Sequence, residues 1–142
     1  MNILKQTPLV LTALMLFSCN GNAQSEKALI GTWEIQGILL GDDGEGSLML
    51  HQQDNPDCET DHSVFTADRT AKEVKHNKSC EANETTFDWK LEDNFLTLTK
   101  GERSINWLIH SIEDGKMTVG VQMRPDSDKR MYVVYQKKRV AK

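Results

Sequence analysis

The sequence predicts an all-β domain, an antiparallel up-and-down β-barrel of about eight strands, with a two-sheet β-sandwich as the alternative. Apolar residues alternate with polar ones along short runs, as Phe87, Trp89 and Leu91 do against Asp88 and Lys90. Turn signals such as Glu113-Asp114-Gly115 separate these runs at short intervals, and nothing downstream of the N-terminal segment has a long helical period. Eight or nine such runs suit a closed barrel, in which closure removes the strand edges that would otherwise aggregate. Period-two alternation serves the inner face of a sandwich equally well.

Lys5 precedes a run from Leu9 to Phe17 that is nearly all apolar, the pattern of a secretory signal peptide. The run is too short for a spanning helix, which needs about 20 apolar residues. It ends Leu16-Phe17-Ser18-Cys19 and resembles the lipobox of bacterial lipoproteins, in which the cysteine is lipidated and becomes the first mature residue. The resemblance implies a lipoprotein signal peptide over residues 1–18, a lipid anchor at Cys19 with a flexible tether over residues 19–28, and a barrel domain over residues 29–142. It places the protein in the bacterial cell envelope, held by its N-terminal lipid on the outer membrane or periplasmic face. The alternative is cleavage after Ala23, behind the small residues Gly21 and Asn22, which releases a soluble secreted product.

Removing the first 18 of 142 residues leaves 124, enough for one domain with one core. The formal charge of -4 becomes -5 once Lys5 is lost, which argues against nucleic acid as a partner. Asp42, Asp43, Glu45, Asp54, Asp57, Glu59 and Asp61 precede Arg69, whereas Lys129, Arg130, Lys137, Lys138 and Arg139 gather near the end. Such blocks are ordinarily solvated loops and a solvated last strand.

Taken in order, Trp33, Ile35, Gly37 and Leu39 share one face of a first strand. The loop Gly41-Asp42-Asp43-Gly44-Glu45-Gly46 returns the chain into Leu48 and Leu50. His51 to Asp61 is polar, contains Asn55-Pro56 and reads as a loop. Ser63 and Phe65 begin another strand, Asp68-Arg69 turns it, and Thr70 to His76 follows with Ala71 and Val74 as apolar points. Phe87, Trp89 and Leu91 then alternate up to the turn at Glu92-Asp93-Asn94, and Leu96 and Leu98 continue beyond it. Ile105, Trp107 and Ile109, then Met117, Val119, Val121 and Met123, then Met131, Val133 and Tyr135 complete the series.

Three cysteines are present. With Cys19 lipidated or discarded, Cys58 and Cys80 remain as an even pair, which in an oxidising compartment reads as a disulfide; two free buried thiols are the alternative.

Gly31-Thr32-Trp33 resembles the Gly-x-Trp signature of lipocalins, whose tryptophan closes the barrel floor. The ordered set Cys58-Glu59-x-Asp61, Phe65-x-x-Asp68-x-Thr70, Cys80, Trp89-x-Leu91 and Asn94-x-Leu96-Thr97-Leu98 is similar to the small lipocalin-like lipoproteins of the Bacteroidetes type. The resemblance implies a lipocalin-like barrel with Gly31 and Trp33 at its floor and a basic side chain packed on Trp33. Arg130 and Arg139 are both candidates for that side chain.

The resemblance also implies a small apolar or amphipathic ligand held in the barrel, making the protein a lipid-anchored binding module. The alternative is a structural or interaction lipoprotein with a filled barrel that presents its loops to an envelope protein partner. Leu48, Leu50, Phe65, Phe87, Trp89, Trp107, Val119 and Val133 are the residues expected to line a pocket or to fill the core. His51, His62, His76 and His110 lack paired metal-ligand spacing, and Asp42, Asp43 and Glu45 lack the rhythm of a calcium loop. No serine stands in a nucleophile-elbow context. The expectation is therefore a non-enzyme with no cofactor and no metal.

Overall fold

The computed structural model describes residues 26–141. The leader, Cys19 and the tether up to residue 25 lie outside the described residues. Residues 26–29 form a single helical turn that leads into nine strands: β1 Gly31–Leu39, β2 Leu48–Leu50, β3 His62–Phe65, β4 Thr70–His76, β5 Ala82–Glu92, β6 Phe95–Lys100, β7 Arg103–Glu113, β8 Lys116–Gln122 and β9 Arg130–Lys137.

All pairings are antiparallel between neighbours, and β9 returns to pair with β1. Eight strands, β1 and β3 to β9, thus close a barrel, and the sandwich alternative is excluded. The ninth, β2, shares an edge of β1 with β3: β3 pairs with Gly31 to Glu34 and β2 with Gly37 to Leu39. Two-residue turns make the hairpins at Asp93-Asn94, Gly101-Glu102 and Asp114-Gly115, where Asp93, Gly101, Asp114 and Gly115 take positive φ.

The first strand departs from simple alternation. Ile35 pairs with Tyr135 and Gly37 with Val134, so Gln36 is an extra, bulged residue. One inserted residue reverses the phase of everything after it. Trp33 and Ile35 face the interior before the bulge and Ile38 after it, while Leu39 turns to the outer wall. Close approach of β2 requires glycine at Gly37, where a Cβ would lie 2.1 Å from the Met49 carbonyl oxygen.

The same bulge corrects the expectation for β2. Leu48 and Leu50 neither line the interior nor fill the core. Met49 is the partner of the inward Ile38, so Leu48 and Leu50 fall on the outward parity, 40% and 69% exposed. A second bulge lies between Ile109 and Ser111 of β7 and brings Ile112, two positions after His110, back to the core.

The core is densest at the end where β1 begins. Leu29, Trp33, Phe65, Leu96, Met117 and Val119 are fully or almost fully buried there. Trp89 meets Phe65 edge-on, with ring centroids 6.2 Å apart. Two of the three indole N–H groups are satisfied by backbone carbonyls, Trp33 donating to Leu29 at 2.7 Å and Trp89 to Thr66 at 3.1 Å. The helical turn belongs to this floor, with Leu29 beneath the barrel and Glu26 paired with Arg69 at 3.0 Å. Glu26 and Ala28 are thus held against the floor of the barrel, by Arg69 and Lys137.

Candidate functional site

Burial of the inward-facing side chains falls steadily from one end of the barrel to the other. On β5, Trp89 and Leu91 are buried, Phe87 is partly exposed and Asn83 is open to solvent. On β8, Met117 and Val119 are buried, Val121 is partly exposed and Met123, just past the strand end, is 64% exposed. β7 repeats the gradient from Ile109 and Trp107 out to Ile105. Antiparallel strands run in opposite directions, so gradients that agree in space mark one closed end and one open end. The interior is filled over its lower half and opens above as a cup with Ile38, Phe87, Trp107, Val121 and Met131 on its wall.

This gradient sorts the residues expected to be pocket or core. Phe65, Trp89, Val119 and Val133 are packed into the closed half. Phe87 and Trp107 face the open half. Leu48 and Leu50 lie outside. Trp33 is completely buried at the floor, and the cation over its ring is neither Arg130 nor Arg139 but Lys137, whose Nζ stands 5.2 Å from the ring centroid. Arg130 instead crosses the outer wall, near Gly120 and over Phe95. Lys137 falls at the inward parity of β9, opposite Trp33 on β1, a relation that only strand register reveals.

The cup has a polar corner that the sequence reading missed. Tyr135, 93% buried by its 7% exposure, stacks on Trp107 with centroids 6.0 Å apart and an interplanar angle of 25°. Beside it a small recess of about 40 Å³ is bounded by Ile35, Asp61, Ser63, Glu73 and Tyr135, among others. Burial pushes ionisation of Tyr135 well above the usual tyrosine range, and the Glu73 charge adds to the effect. At neutral pH the side chain is therefore an intact hydroxyl.

On the neighbouring rim the loop between β2 and β3 is clamped to the barrel. Cys58 and Cys80 form a disulfide, joining this loop to the β4–β5 turn. Asn55 Nδ2 donates to the Lys78 carbonyl at 3.0 Å. Asp61 accepts from the His76 backbone N–H at 2.8 Å and from His51 Nε2 at 3.1 Å. An ionised carboxylate only accepts, so the proton of that second bond belongs to His51. Burial of Asp61 raises its pKa, but the His76 backbone donor and His51 outweigh it and hold the carboxyl below its ordinary value. Nδ1 of the buried His76 approaches Asp61 Oδ1 at 3.4 Å without hydrogen-bond geometry.

Among the described residues no group of three His, Cys, Asp or Glu side chains is arranged to hold a metal ion. The arrangement offers an apolar wall, one buried hydroxyl and flanking carboxylates, which is chemistry for holding a molecule.

Comparison with known proteins finds a family described as the lipocalin-like domain, matched by residues 29–119. No curated protein matches. Among solved structures, a lipocalin-like protein from Bacteroides uniformis superposes with a TM-score of 0.56 at 7% identity, covering 78% of this chain and 99% of that one. An uncharacterized protein from Bacteroides eggerthii gives a TM-score of 0.52 at 12% identity, covering 76% of this chain and 98% of the other. At these identities the likeness is one of fold.

Proposed function

The chain belongs to the lipocalin-like domain family, and on that premise we propose that it is a binding protein that holds a small apolar or amphipathic molecule in the open half of its barrel. The observation that carries this reading is the burial gradient. Phe87, Trp107, Val121 and Met131 point inward, pack against the core and yet remain partly exposed. Apolar area left accessible inside a concave wall is what a ligand covers, at about 25 cal/mol per Å² removed from water. The reading is non-enzymatic, because the polar groups at the cup form no nucleophile–base pair.

The proposal places the protein in the bacterial envelope, tethered to the membrane through lipidated Cys19; the Leu16-Phe17-Ser18-Cys19 ending supports this. Two or three acyl chains on one N-terminus give stable anchoring where one does not. A second reading, an interaction lipoprotein that presents its loops to an envelope protein partner, draws support from Leu40, Leu48, Met49 and Leu50, all strongly exposed on and beside β2.

Titration with the neutral fluorophore N-phenyl-1-naphthylamine tests the binding reading. Saturable enhancement that Phe87→Ala or Trp107→Ala weakens supports the cup. Enhancement that persists unchanged in both variants, or none at all, overturns it. Fractionation of the Cys19→Ala form in the native host tests the anchor, since an unchanged soluble product in both forms excludes lipidation.

A further inference from the structure

We propose that the recess beside Tyr135 seats a positively charged, hydrogen-bond-donating head group, so that the ligand is a cationic amphipath such as a primary alkylamine with its apolar body in the cup. This rests on the binding reading above and narrows it to a chemical class.

Three observations converge on the recess. The first is Tyr135 itself, which is 93% buried and whose hydroxyl has no hydrogen-bond partner among the described residues, although it borders the space. A bound group can therefore hydrogen-bond this hydroxyl without displacing a protein partner. The second is charge. Two carboxylates, Asp61 and Glu73, border the recess, together with Lys75, His51 and His62. Asp61 is already engaged by His51 and the His76 backbone. Among the described residues Glu73 pairs only with Lys75, at 3.3 Å, through side chains 39% and 66% exposed. So exposed a pair holds weakly, and a ligand cation can take the place of Lys75. The third is size and surface. A recess of about 40 Å³ accommodates a group the size of one or two waters, which fits an ammonium. Tyr135, stacked on Trp107, joins the recess to the apolar wall of the cup.

A carboxylate head at the same place would meet Glu73 and Asp61 with like charge and would have to win Lys75 from Glu73. A neutral alcohol would satisfy Tyr135 and leave the charge of Glu73 unused. The geometry therefore orders the three head groups as ammonium, alcohol, carboxylate.

The test displaces N-phenyl-1-naphthylamine from the purified protein at neutral pH with octylamine, octanol and octanoate, which share one tail length. Octylamine is expected to compete at concentrations about tenfold lower than octanoate, the change that one charge-assisted hydrogen bond supplies. Glu73→Gln should abolish the preference, octylamine and octanoate then competing alike. Tyr135→Phe, which keeps the ring, should reduce it and serves as a second variant if Glu73→Gln fails to fold. Fluorophore binding with equal competition by all three, or with octanoate ahead, overturns the cationic head and leaves the cup intact. Failure of the fluorophore and all three competitors to bind overturns both.

Discussion

The side chain of Lys137 lies across the floor of the barrel over Trp33, with Nζ donating to the Ala28 carbonyl at 3.0 Å and standing 5.2 Å from the indole centroid. It reaches that position by passing over Gly31, where a Cβ would come within 2.6 Å of Lys137 Cε. Gly31 and Trp33 therefore act together: the glycine leaves the space and the tryptophan supplies the surface on which the aliphatic arm and its charge rest. Gly31 also takes a φ of 137°, which side-chain-bearing residues rarely adopt.

Trp33→Ala should destabilise the domain by about 3–5 kcal/mol, the cost of emptying a fully packed aromatic site. Gly31→Ala should cost about 1–3 kcal/mol through backbone strain and a displaced Lys137. Urea denaturation measures both, and a Gly31→Ala variant of native stability would contradict the close packing of Lys137 on the floor.

The two halves of the barrel should respond differently to the same truncation. Trp89→Ala, in the closed half, is expected to cost about 3–5 kcal/mol. Trp107→Ala, on the cup wall, should cost roughly half as much because its ring is only partly withdrawn from water. The denaturation midpoints of the two variants give the comparison, and equal losses would mean that the interior is packed throughout.

Reducing the Cys58–Cys80 bridge, whose ends are 22 residues apart, should lower stability by about 3 kcal/mol on the chain-entropy model. Denaturation of the oxidised protein against a Cys58→Ala/Cys80→Ala double variant reads the difference. Matching midpoints would show that the unfolded chain gains little freedom when the bond is lost.

Asp61 makes the rim loop sensitive to acid. Its folded pKa is depressed, so the stability it contributes is complete above its unfolded value of about 3.9 and is lost as pH falls through the lower folded value. Hydrogen-exchange protection of the His76 amide, which donates to Asp61, should fall below about pH 4 relative to its intrinsic rate. Asp61→Asn should remove most of that pH dependence, and an identical profile in the variant would assign the effect to other carboxylates.

Strand number and turns were legible because each run is short, alternating and bounded by Asp, Asn or Gly, as at Glu113-Asp114-Gly115. The inward parity of Phe87, Trp89, Val119 and Val133 followed from the same alternation. What failed to show was a matter of phase and register. Nothing in Glu34-Ile35-Gln36-Gly37 announces that Gln36 is skipped, and that single insertion sent Leu48 and Leu50 to the outer wall. The cation on Trp33 was sought among arginines, whereas register delivers Lys137 there. Glu73 and Tyr135 come from strands far apart in sequence and meet only when the barrel closes. Alternation marks faces, and closure decides which faces share a site.

The chain enters the barrel at its sealed end, where Leu29 sits under Trp33 and Ala28 is held by Lys137. If Cys19 carries the proposed acyl anchor, the sealed pole would be the one drawn toward the bilayer, and the mouth would look outward into the surrounding fluid. A cargo would then be exchanged with that fluid or with a carrier approaching from it, and lipid could not slide directly from the leaflet into the cup. Access from the membrane side would require the whole domain to tip over on its leash.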